Sequence, residues 1–130
     1  MTATALHRAL AALGIPFFSL AVYVQFNDPD PWAWGVMYGV AALLNLLALF
    51  DRLPMRLAAA VFAGYVVLTL YLSPHLLATS LAAFASVGMQ NLEHELVREA
   101  WGAATCAVWT FVLWRGARRT IYQPSEQISA

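Results

Sequence analysis

The sequence contains no lysine, a single cysteine and only 11% charged residues in 130 positions. One cysteine excludes an intrachain disulfide and any multi-cysteine zinc site, and Cys106, lying inside an apolar run, reads as a small packing residue. So few charges also exclude the polar faces that a soluble domain of this length needs. The stretches Leu10 to Phe26 and Ala33 to Phe50 carry no charged side chain at all. A net charge of zero, with arginines confined to the ends of apolar runs, gives no basis for nucleic-acid binding.

What the chain has instead is hydrocarbon. Hydrophobic residues make up 62% of it, and its mean hydropathy is +0.66, values that define an integral membrane protein with the lipid bilayer as its solvent. Four runs, about residues 9–26, 33–50, 57–72 and 97–114, are long enough to span, so the expected fold is an all-α integral membrane four-helix bundle. At about 1.5 Å per residue each covers roughly 24 to 27 Å, slightly short of a ~30 Å core, with flanking aromatic and Arg residues making up the difference. The first run is too long for a cleaved signal and lacks a small-residue cleavage site before a polar domain.

Six of the seven arginines fall at alternate ends of the runs: Arg8, Arg52, Arg56, Arg115, Arg118 and Arg119. By the positive-inside rule this predicts both termini in the cytoplasm of a bacterial-type inner or plasma membrane, with residues 1–116 as the membrane domain and 117–130 as a polar cytoplasmic tail. The connections 27–32 and 73–96 then share the outer face. In the second of these, Leu77, Leu81, Phe84 and Gly88 follow helical spacing. They are compatible with a short interfacial helix or with a continuation of span three beyond Pro74.

Five of the seven acidic residues lie at that outer face, in Asn27-Asp28-Pro29-Asp30-Pro31-Trp32 and in Glu93-His94-Glu95-Leu96-Val97-Arg98-Glu99. The prolines force the chain out of the first helix, and Asp30 is placed to cap the second with Pro31 at its first position. Trp32, Trp34 and Tyr38 read as headgroup anchors. Capping leaves Gln25, Asn27 and Asp28 unexplained. Glu95 and Glu99 are four apart and share a helical face adjoining Arg98. Glu99 falls just inside the hydrocarbon boundary and needs a partner, and Arg98 can reach Glu95, Asp28 or Asp30.

Two readings of this cluster stay open. One is an interhelical salt-bridge network; the other is a set of oxygen donors, with His94, able to hold a divalent cation or act as acid and base. His94-Glu95 lacks the second histidine of a helical zinc-protease motif, and no cofactor motif is present.

Val24-Gln25-Phe26-Asn27-Asp28-Pro29-Asp30 and Glu95-x-x-Arg98-Glu99-x-x-Gly102, in a four-span context from about Phe17 to Trp114, resemble the transmembrane protein 220 family. The resemblance implies a small four-helix membrane protein without an established activity. It marks Asn27, Asp28, Asp30, Glu95, Arg98 and Glu99 as motif residues.

Small residues at packing spacing, Gly35-x-x-x-Gly39, Ala60-x-x-x-Gly64 and Gly102-x-x-x-Cys106, suit either packing within the bundle or association with a larger membrane protein complex. The function expected is therefore a non-enzymatic accessory subunit or assembly factor, with an outer-face metal or enzymatic site as the alternative. Coupled transport lacks its usual requirement, because the most central polar side chains, Asn45 and Thr69, do not titrate.

Overall fold

A computed structural model describes residues 3–28, 30–77, 84 and 92–122. Among them the chain forms four helices and no strand: α1 (Ala3–Gln25), α2 (Pro31–Leu49), α3 (Met55–Leu77) and α4 (Leu92–Tyr122). Each expected span lies within one helix apart from its last residue in two cases, Phe26 and Phe50, which fall in turns. The interfacial helix considered between spans three and four lies almost wholly outside the described residues.

The inward residues recur at sevens and at three-four steps: His7, Ala11 and Phe18 on α1, Ala41, Leu44, Asn45 and Ala48 on α2, and Ala58, Tyr65 and Leu72 on α3. That is the period of helices packed at shallow crossing angles. The chain pairs α1 with α2 and α3 with α4, and α4 alone packs against each of the other three over several residues. Its buried stripe, Val97, Ala100, Ala103, Cys106, Ala107, Thr110, Leu113 and Ala117, is dominated by small side chains. Close approach of backbones is what lipid-embedded helices rely on, since transfer from lipid to protein provides no hydrophobic gain.

Three helices, α1, α2 and α3, are each long and apolar enough to cross a membrane, and α4 is not among them. Its run begins with Arg98 and Glu99 and is rich in small residues, which lower its hydropathy, although Trp101, Val108, Phe111 and Val112 face outward. At 31 residues α4 extends about 46 Å, longer than a ~30 Å core. It therefore continues past its expected end near Trp114, through Arg115, Arg118 and Arg119, with Arg118 lying 5.3 Å over the Trp114 ring.

Helix α3 likewise runs past its expected end at Ser73-Pro74. Proline has no N–H for the carbonyl of Leu70, and Ser73 Oγ donates to that oxygen instead at 2.8 Å. The helix proceeds to Leu77.

The two central polar residues are both engaged. Asn45, fully buried, donates from Nδ2 to Ala41 O and accepts at Oδ1 from Trp109 Nε1, each at 2.8 Å. Thr69 Oγ1 donates to Tyr65 O at 2.7 Å, and the Tyr65 hydroxyl donates to Met37 O at the same distance, tying α3 to α2. The Asn45 amide lies directly over Gly14 of α1, where a Cβ would collide with it.

The small-residue motifs divide. Gly102 packs inside the bundle, against the Tyr38 ring and hydroxyl, and Cys106 is buried. Gly35, Gly39 and Gly64 do not: a Cβ added at any of them meets nothing within 4 Å. Among the described residues, no close approach of helices relies on these three glycines.

Candidate functional site

The ends of α1, α2 and α4 converge where the two acidic motifs meet. After Gln25 the chain turns through Phe26, Asn27 and Asp28, whose amides donate to the carbonyls of Tyr23, Val24 and Gln25 at 3.3, 3.3 and 2.9 Å. This turn aims Asp28 inward and leaves Asn27 exposed. Asp28 Oδ1 receives Arg98 Nη2 from α4 at 3.5 Å, with side chains only 13% and 20% exposed. Of the partners open to Arg98 in the sequence, Asp28 is thus one that it reaches, 70 residues away.

Asp30 occupies the N-cap of α2 with Pro31 at the start, as expected, but its side chain makes no capping hydrogen bond. Its backbone, at φ −127° and ψ 61°, does not bring the carboxylate onto the first amides. Asp30 is instead exposed, and with Glu95 and Asp28 it contributes to the negative field around Glu99.

A pocket of about 240 Å³ opens among these groups. The turn end of α1 supplies Val24, Gln25 and Asp28; α2 supplies Trp34 and Tyr38; α4 supplies Glu95, Arg98 and Glu99. Four of the six motif residues therefore share one concavity, and Asn27 and Asp30 stand outside it. Trp34 offers its indole N–H toward Glu99. Tyr38, its ring centroid 6.5 Å from that of Trp34, reaches across to Gly102.

Sequence reading assigned Trp34 and Tyr38 to the headgroup region and missed them as pocket walls. Their spacing of four, which puts both on the face of α2 that meets α4, was the available signal. Gln25, singled out in the sequence, does line the pocket. Among the described residues, no three His, Cys, Asp or Glu side chains converge in a way that could hold a metal ion. The opposite end of the bundle carries a different ion pair, Arg8 with Asp51, joining α1 to the α2–α3 turn.

Membrane-length apolar helices, a buried polar seam and a charged pocket at one end define a polytopic helical membrane protein. The chain belongs to the family described as "Transmembrane family 220, helix", whose model matches residues 17–115 and so takes in both acidic motifs. Transmembrane protein 220 of Xenopus laevis is 60% identical over 30 residues, 23% of this chain and 16% of the frog protein. The match thus spans under a fifth of that relative's length. No solved structure matches the chain.

Proposed function

We propose that the chain is a non-enzymatic accessory subunit or assembly factor of a larger membrane complex, which it meets through the outward small-residue face of α2. The supporting observation is the open space at Gly35 and Gly39, one turn apart on α2, where an added Cβ would meet no described atom within 4 Å. Small residues let helix backbones approach closely in lipid, where packing and hydrogen bonds are the main attractive terms. The bundle's own close approaches use Gly14, Gly102 and Gly116 instead.

In this reading the arginine-rich end faces the cytoplasm of an inner or plasma-type membrane with both termini, residues 117–130 form the cytoplasmic tail, and the Asp28–Arg98 end faces outward. The Asp/Glu/Arg cluster then holds the first turn against α4. Coupled transport gains no support, since Asn45 and Thr69 are both committed to structural hydrogen bonds.

Purification from native membranes in mild detergent, with intact-complex mass and metal analysis on the same peak, tests the proposal. A stoichiometric partner, lost in Gly39→Leu while the melting temperature stays unchanged, is expected. A lone bundle in the wild type would overturn the subunit reading, and about one metal per chain, lost on changing Asp28 or Glu99, would replace it with a chemical site.

A further inference from the structure

The walls of the pocket at the Asp28 end differ in kind. On α2 they are the rings of Trp34 and Tyr38; on α4 and the first turn they are three carboxylates and one guanidinium. Arg98 lies against Asp28, so the charge of that pair is internally balanced. Glu95 and Glu99, one helical turn apart, add two more carboxylates to a concavity whose remaining walls are the two aromatic rings, Val24 and the Gln25 carboxamide. Like charges held together at a low-dielectric boundary favour entry of a cation.

The composition of the walls narrows which cation. A hard metal ion takes six or more oxygens in a closed shell, and the described side chains do not converge to provide one. Aromatic faces beside carboxylates suit an organic ammonium, whose N–H groups bond the carboxylates while its carbons lie on the rings. At about 240 Å³ the space lies below the roughly 300 to 1,000 Å³ of drug-sized sites, which fits a headgroup-sized molecule.

We propose that this pocket binds a protonated organic amine, with Glu95 and Glu99 receiving the ammonium and Trp34 and Tyr38 covering the carbons beside it. The amine is either a free small molecule or the headgroup of an aminophospholipid, since both present the same group. This goes beyond the subunit reading and does not depend on it.

The test uses the full chain in nanodiscs of phosphatidylglycerol, titrated calorimetrically with ethanolamine and with ethylene glycol as the neutral isostere. Ethanolamine is expected to bind saturably and ethylene glycol not to bind. Glu99→Gln should weaken ethanolamine at least tenfold and Trp34→Leu severalfold. Loss of ethanolamine binding in nanodiscs containing phosphatidylethanolamine would identify the headgroup as occupant; unchanged binding would identify the free amine. Absence of saturable binding in phosphatidylglycerol, or equal binding by a folded Glu99→Gln chain, would overturn the proposal. If Glu99→Gln does not fold, carbodiimide labelling of Glu95 and Glu99 in the wild type decides. Ethanolamine must slow it severalfold and ethylene glycol must not, and equal labelling rates would overturn the proposal.

Discussion

The Trp109 indole donates to Asn45 Oδ1 at 2.8 Å from α4 to α2, and the same Asn45 amide fills the space over Gly14 of α1. One carboxamide thus joins three helices at the centre of the bundle. The Trp109 ring closes the arrangement by stacking on Phe17 at 5.9 Å and meeting Phe18 edge-on at 5.7 Å. Replacing Asn45 with alanine strands the Trp109 donor and should cost about 1 to 2 kcal/mol. Gly14→Ala drives a methyl into the amide and should cost about 1 to 3 kcal/mol. Because both act on one contact, the double variant should lose less than the sum of the two. Unfolding in mixed micelles measures all three, and strict additivity would show that Asn45 does not fill the Gly14 gap.

How much of this was legible in the sequence differs by element. Four apolar runs and their breaks were readable because lipid demands unbroken helices, and placing two motifs on one side put Arg98 within reach of Glu95, Asp28 or Asp30 without choosing among them. Helix ends were less readable. At Pro74 the sequence left a stop and a continuation both open, and the bond from Ser73 Oγ to the carbonyl that proline leaves unpaired accounts for the continuation. The centrality of α4 was hidden because Arg98, Glu99 and many small residues lower the apolarity of its run, and only the packed bundle shows that the small residues form its buried stripe. The roles of Tyr38 and Gly102 depend on which faces oppose each other, which no single run encodes.

Arg98 is the cation paired with Asp28 at 3.5 Å, and both side chains are largely shielded. Arg98→Ala leaves that carboxylate without its guanidinium. A fully buried pair broken in this way costs about 3 to 5 kcal/mol, and the residual exposure here lowers the expected loss to about 2 kcal/mol. His94→Ala, which leaves the pair intact, should cost less. Thermal melting in detergent compares them, and equal tolerance of the two changes would count against the Asp28–Arg98 contact as a determinant of stability.

Ser73 offers a test of how α3 passes Pro74. Ser73→Ala removes the hydroxyl that satisfies Leu70 O and should cost about 1 kcal/mol, with fraying confined to the last turn before Leu77. Pro74→Ala restores a backbone donor, so Ser73→Ala should become nearly neutral in that background. Hydrogen exchange at the amides of residues 75–77 would register the difference. Equal sensitivity in both backgrounds would mean that the hydroxyl does not act through the proline gap.

Asp51 combines two effects of opposite sign. It is the described non-glycine residue with a positive φ, 56°, in the turn that ends α2. Its amide donates to Ala48 O at 3.1 Å and that of Arg52 to Leu47 O at 2.8 Å, the paired bonds of a Schellman cap. Glycine would relieve a left-handed strain of about 1 kcal/mol. It would also remove the exposed Arg8 pair, worth roughly 0 to 1 kcal/mol. Asp51→Gly should therefore leave stability close to wild type. Asp51→Asn keeps the tolerance for this backbone and loses only the pair, so its small deficit should shrink as salt is raised. Asp51→Ala loses the pair and keeps the strain, and should be the least stable of the three. Melting at low and high ionic strength orders them, and an alanine variant as stable as the glycine variant would refute the assignment of backbone strain to this turn.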